Sequence, residues 1–138
     1  MMRPSLASLI AFGMVSCAPF DRPPALIRVA QAKFGGGQGL FRGKLEVHNG
    51  CVVTAGTHPA TVLFDPDVAL VNQGTAIRDG RRGFTIGFGE LIRASAAWPR
   101  NNGNGWSVKE IQRFYDTSIP DNCPRDEVVR LDDLEPTE

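Results

Sequence analysis

The sequence predicts a mainly β protein: a small antiparallel β-barrel or sandwich, with an OB-like barrel among the allowed arrangements. Two short helices and one disulfide complete the predicted fold. Apolar and polar residues alternate along short segments, and turn residues recur about every 8–12 residues. Glycines at positions 83, 87 and 89 stand where a small barrel needs sharp bends or bulges.

The segment 24–34 predicts the first helix. Pro24 suits the first helical position and Gly35 suits a C-terminal stop. Leu26 and Val29 fall on one face at helical spacing. Ile27 and Val29 are also compatible with a strand, which remains the alternative.

The alternation begins at Leu40 and predicts a half-buried strand as far as His48. Asn49-Gly50 is a strong hairpin signal, because both residues tolerate positive φ. Cys51 to Thr54 would return beside the first strand. Further short strands are predicted at 61–64, 68–71, 76–78, 84–87, 91–93 and 127–131.

Between the last two of these strands, a polar Asn/Gly loop separates Trp98 from Trp106. Ser107 and Glu110 then match a capping box, in which the serine caps the helix and the glutamate follows three residues later. The capping box predicts a second short helix over 108–115.

The N-terminus has the pattern of an export signal. Arg3 provides a short basic region, and an apolar stretch of ten residues follows from Leu6 to Val15. The segment Met14-Val15-Ser16-Cys17 resembles the lipobox of bacterial lipoproteins, which implies cleavage before Cys17 and lipidation of its thiol. An ordinary secretory signal and an uncleaved anchor are the alternatives.

The predicted organisation therefore has four parts. Residues 1–16 are a signal peptide, 17–36 a lipidated tether with the first helix, 37–134 the β-rich domain, and 135–138 an acidic, solvated tail. The 122 residues left after cleavage suit one domain with its own core.

Two cysteines remain once Cys17 carries lipid. Exported proteins form disulfides readily, and an even number of cysteines usually pairs. We therefore predict a bridge between Cys51 and Cys123; two buried thiols or a metal pair are the alternatives.

Charge and motif content disfavour several functional classes. The 15 basic and 15 acidic side chains balance, which argues against a nucleic-acid partner. His48 and His58 lack metal-ligand spacing, so no metal site is predicted. No serine, such as Ser95 or Ser107, lies in a nucleophile motif. We therefore expect neither enzymatic activity nor a cofactor.

The segment between the two tryptophans is the candidate binding loop. Tryptophan and arginine are enriched at binding hot spots, and asparagine amides both donate and accept hydrogen bonds. The alternative is that both tryptophans belong to the core. The candidate residues are Trp98, Arg100, Asn101, Asn102, Asn104 and Trp106.

The whole chain is similar to small exported bacterial lipoproteins with one disulfide-bridged β-rich domain. This resemblance implies attachment to a membrane through Cys17, in the outer membrane where a cell has two. We expect a non-enzymatic binding or structural module of the cell envelope, with an envelope protein or glycan as partner. The alternative is an inhibitor of an exported hydrolase, either a lysozyme or a peptidase.

Overall fold

The computed structural model describes residues 23–31, 39–100 and 105–137 of the chain. For Arg100 it describes the backbone alone. The signal segment, Cys17 and the loop amides Asn101, Asn102 and Asn104 lie outside the described residues, so the predictions about them are not addressed by the structure.

The described part of the chain has a mainly β fold, as predicted, but it contains one α-helix rather than two. A short 3-10 helix spans Asn72–Gly74. The other elements are β1 (Ile27–Arg28), β2 (Gly39–Gly43), β3 (Leu45–His48), β4 (Cys51–Thr54), β5 (Thr61–Phe64), β6 (Val68–Val71), β7 (Ala76–Asp79), β8 (Thr85–Gly87), β9 (Ile92–Arg100), α1 (Val108–Tyr115) and β10 (Val128–Pro136).

The strands form a large sheet and a small one. The large sheet has the order β2-β9-β10-β5-β4-β3, with β1 also paired to β5, and the small sheet has the order β6-β7-β8. The sequence predicted an antiparallel fold. The β1–β5 and β5–β10 pairs are parallel, however, so the large sheet is mixed. Parallel pairing needs a long connection, and residues 65–127 supply one between β5 and β10.

The large sheet is curled into a half-barrel. Strands β2 and β3 lie at the two ends of the strand order, although only Lys44 separates them in the chain. A single bent stretch of chain, β2 followed by β3, therefore supplies both edge strands of the large sheet. The two edges can lie this close together only because the sheet curls.

Two hydrophobic clusters lie on opposite faces of the large sheet. Along β10, Val129 and Leu131 belong to the inner cluster, which fills the curl and includes Phe64. Val128 belongs to the outer cluster, where the sheet packs against Ile111 of α1. Alternate residues of a strand point to opposite faces, and here both faces are covered.

The local predictions that depend on turn and cap chemistry are confirmed. Asn49 and Gly50 have φ values of 50° and 78° and join β3 to β4. The Ser107 hydroxyl accepts a hydrogen bond from the Glu110 amide at 3.2 Å, at the start of α1. The predicted bridge joins Cys51 to Cys123, two residues separated by 72 positions.

The predicted first helix is wrong, and its strand alternative is correct. Ile27 pairs with Leu63 in the parallel β1–β5 ladder, and the Val29 amide donates to the Phe64 carbonyl at 2.9 Å. Ala25 makes an isolated bridge to Cys51. Helix propensity is a weak preference, and the backbone partners offered by β4 and β5 override it here.

The end of the chain also departs from the expectation of a solvated tail. β10 continues to Pro136 through a bulge between Asp132 and Glu135, and the Thr137 amide donates to the Leu91 carbonyl at 3.0 Å. Pairing with β9 therefore orders residues that their acidic composition assigned to solvent.

Candidate functional site

Three aromatic side chains in β9, before α1 and in α1 remain substantially exposed. Trp98 is 44% exposed, Trp106 is 39% exposed and Phe114 is 44% exposed. We call Trp98, Trp106 and Phe114 the aromatic surface. Neither tryptophan belongs to the hydrophobic core, so the core alternative for these residues is wrong.

One backbone hydrogen bond and one ring contact fix the position of Trp106. The Trp106 amide donates to the Pro99 carbonyl at 2.8 Å, which closes the chain next to Trp98. The Trp106 and Phe114 rings meet edge to face, with centroids 4.8 Å apart. Of the predicted loop residues, the structure therefore brings the two tryptophans to one region, and it adds Phe114, which sequence reasoning did not single out.

The aromatic surface lies on a buried base. The Phe114 ring contacts the Tyr115 ring with centroids 4.8 Å apart, and Tyr115 is only 8% exposed. The Arg130 guanidinium carbon lies 5.7 Å from the Tyr115 ring centroid. Burial is the main cause that raises the pKa of Tyr115, so its hydroxyl stays protonated.

Beneath Tyr115, the Arg130 side chain is 2% exposed and pairs with two carboxylates. Its Nη2 atom lies 2.5 Å from Asp65 Oδ1 and 2.9 Å from Asp132 Oδ1. Among the described residues, Arg130 Nε and Nη1 have no hydrogen-bond partner. We call Asp65, Arg130 and Asp132 the buried ion cluster.

The buried ion cluster holds two carboxylates and one guanidinium, and this imbalance affects Asp132. Burial raises the pKa of Asp132 to about 6, the charge of Arg130 opposes the rise, and the nearby Asp65 carboxylate adds to it. Asp132 therefore gains a proton near pH 6. Tyr115, which packs over Arg130, remains neutral in this range.

Asp132→Asn is expected to change how stability depends on pH. The pKa of Asp132 in the folded chain exceeds its ordinary value of 3.8, so the folded state binds this proton more tightly than the unfolded state does. The resulting stabilisation is fully present below about pH 4 and is lost as the pH rises through 6. Asparagine keeps an acceptor for Arg130 but cannot ionise. Between pH 4 and 7 the variant should gain roughly 1–2 kcal/mol relative to the wild type.

Urea unfolding at several pH values measures this difference. Arg78→Gln, a change of an exposed arginine in the small sheet, is the control and should follow the wild type. The raised pKa of Asp132 would be contradicted if the difference in unfolding free energy between the wild type and Asp132→Asn stayed constant between pH 4 and 8.

Sequence reasoning missed the buried ion cluster, because it ended the last strand at 131 and gave Arg130 and Asp132 no partners. A signal was present in the sequence: Arg130 interrupts the apolar run Val128, Val129 and Leu131. A charge within such a run marks a buried position that needs a partner. The partner Asp65 is distant in the chain, and only the β5–β10 pairing brings it close.

The other candidate groups do not form a site in the part of the chain that the structure describes. His48 and His58 are both exposed. No set of three His, Cys, Asp or Glu side chains within the described ranges could hold a metal ion. Ser107 caps α1, as predicted.

In the described ranges, no helix has the length and hydrophobicity needed to cross a membrane. Comparison of the chain with models of protein families, with curated proteins and with solved structures found no match.

Proposed function

We propose that the protein is an exported lipoprotein of the bacterial cell envelope that binds a partner without catalysing a reaction. The aromatic surface carries the binding part of this proposal. Large aromatic side chains are usually withdrawn from water, and exposed clusters of them mark interaction sites. Trp98, Trp106 and Phe114 are each more than a third exposed.

The support under the aromatic surface suits a binding role. Trp106 packs on Phe114, and Phe114 packs on Tyr115, which is itself held over Arg130. Aromatic rings fixed in this way lose little conformational entropy when a partner binds. An envelope protein or the sugar faces of an envelope glycan would fit this surface.

The envelope location is supported by two independent features. The segment Met14-Val15-Ser16-Cys17 resembles a lipobox. The Cys51–Cys123 disulfide is typical of an oxidising compartment such as the periplasm. Lipid on Cys17 would then keep the aromatic surface close to a membrane.

One crosslinking experiment in bacterial cells tests both parts of the proposal. The wild-type chain should be found in the membrane fraction and should crosslink to one specific partner. Trp106→Ala should remain folded and membrane-bound but lose the crosslink, because its ring lies on the surface. Cys17→Ser should leave the membrane fraction. Val47→Ala is the matched control, because Val47 is an exposed apolar residue of β3 and 44% exposed.

Each outcome of the crosslinking has a clear meaning. Retention of the partner by Trp106→Ala, or its loss in Val47→Ala, would contradict a site on the aromatic surface. Retention of Cys17→Ser in the membrane fraction would contradict lipid anchoring. If the partner is an exported hydrolase and its activity falls on binding, the protein is an inhibitor of that hydrolase, as in the alternative.

A further inference from the structure

A second surface feature lies on the large sheet, apart from the aromatic surface. A groove of about 560 Å³ is lined in part by Leu40 of β2, by Arg93 and Ser95 of β9 and by Glu135 of β10. Arg82, from the turn between β7 and β8, also contributes. Arg93 and Ser95 alternate with the buried Ala94 and Ala96, so their side chains share the outer face of the sheet.

The carboxylates of this groove are already occupied. The two Glu135 oxygens accept hydrogen bonds from Arg82 and Arg93, one each. Asp133 pairs with Arg81 at 2.9 Å. The hydrogen bond from Arg93 is the main cause that lowers the pKa of Glu135, so this carboxylate remains ionised in mildly acidic solution.

A further arginine lies beside these pairs. In the β2–β9 ladder, Arg42 lies directly opposite Arg93, and Leu40 lies directly opposite Ser95. Arg42 therefore shares the outer face with the groove-lining residues. Within the described part of the chain, no carboxylate pairs with Arg42. Like charges directly opposite each other in neighbouring strands are destabilising.

The charged lining residues balance, with Arg82 and Arg93 against Asp133 and Glu135, so the neighbouring Arg42 is the arginine in excess, in a chain with no net charge. Guanidinium groups match the oxygens of a phosphate and can donate two hydrogen bonds side by side. Ser95, next to Arg93 on the same face, offers a hydroxyl donor. A dianionic group would also remove the repulsion between Arg42 and Arg93, which a single carboxylate would relieve less.

We propose that the groove binds a phosphate group between Arg42 and Arg93, with the Ser95 hydroxyl as a third donor. The same chemistry is available in free phosphate and in an anionic lipid headgroup. This site is distinct from the aromatic surface, and its existence does not depend on the proposed function.

The test uses the full chain carrying Cys17→Ser, with the disulfide formed, so that lipidation does not contribute. Inorganic phosphate is titrated at constant ionic strength against chloride, and binding is followed through arginine Nε–H resonances and the unfolding midpoint. We expect Arg42→Gln to weaken phosphate binding by about tenfold, the effect of one charge-assisted hydrogen bond. Arg78→Gln, an exposed arginine of the small sheet, should bind as the wild type does.

The second arm of the test distinguishes the two sources of phosphate. Flotation with phosphatidylglycerol vesicles, compared with phosphatidylcholine vesicles, measures binding to a lipid headgroup. If the wild type binds only the phosphatidylglycerol vesicles, and Arg42→Gln does not bind them, the phosphate belongs to a lipid headgroup. Binding in the inorganic phosphate arm alone would assign it to a small soluble ligand.

A folding measurement separates a loss of binding from a loss of structure. Without phosphate, Arg42→Gln should be as stable as the wild type or slightly more stable at low salt, because it removes a repulsion. The proposal is wrong if neither probe binds, or if both probes bind the wild type, Arg42→Gln and Arg78→Gln equally.

Discussion

Removing the Cys51–Cys123 disulfide is expected to lower the free energy of unfolding by about 4 kcal/mol. The bridge closes a loop of 72 positions, and a long loop restricts the unfolded chain more than a short one. A single domain of this size is typically stable by only about 5–15 kcal/mol. The double variant Cys51→Ala/Cys123→Ala should therefore be close to unfolding at 37 °C.

The location of the disulfide adds to this expectation. Cys51 begins β4, and Cys123 lies between α1 and β10, so the bridge connects the first hairpin to the final strand region. Both residues belong to the outer hydrophobic cluster, and Cys51 is fully buried. Replacement by alanine also removes apolar contacts there, which adds to the loss.

Urea unfolding of the double variant beside the oxidised protein measures the effect. Both chains should carry Cys17→Ser, so that no free thiol remains to exchange. A loss below about 1 kcal/mol would mean that the unfolded chain is already restricted without the bridge, contrary to the loop-entropy argument.

Arg130→Met is expected to destabilise the fold by about 3–5 kcal/mol, the range for breaking a buried ion pair from one side. Methionine keeps an unbranched apolar stem but lacks the guanidinium group, so it leaves Asp65 without its partner. Asp65 is 6% exposed, so water does not replace the lost contact. The change also removes the support of the Tyr115 ring, on which the aromatic surface depends.

A second substitution identifies the cause of the destabilisation. If the uncompensated Asp65 carboxylate is responsible, Arg130→Met/Asp65→Asn should recover part of the loss, because the buried charge is gone. Arg78→Gln, an exposed arginine change, should alter stability by less than about 0.5 kcal/mol. A loss for Arg130→Met as small as that of Arg78→Gln would contradict the structural role of the buried ion cluster.

The candidate binding surface was predictable in part. The two tryptophans and the polar loop between them are visible in the sequence, and tryptophan is enriched at binding hot spots. Whether those rings were buried was not predictable, since burial depends on what packs over them. The same limit applies to Arg42: its position opposite Arg93 follows from the β2–β9 register, which residues distant in the chain decide.

The sequence by itself determined the features that depend on neighbouring residues. The Asn49-Gly50 hairpin, the Ser107 cap of α1, most strand positions and the pairing of the two cysteines follow from local turn chemistry, alternation and cysteine number. The hairpin, the cap and the strand positions need no knowledge of the rest of the fold, because the groups that decide them lie within a few residues, whereas the cysteine pairing follows from cysteine number alone although the two residues are 72 positions apart.

Only the tertiary structure decided the features that depend on distant partners. Residues 27–28 form a strand because β5 offers backbone partners that outweigh a weak helical preference. Asp132 is partly buried, and Glu135 is ordered, because β10 pairs with β9 as far as Pro136. Arg130 meets Asp65 because β5 and β10 lie side by side, across 65 positions of the chain. Such long-range pairing sets the burial of each charge, and burial determines its energetic effect.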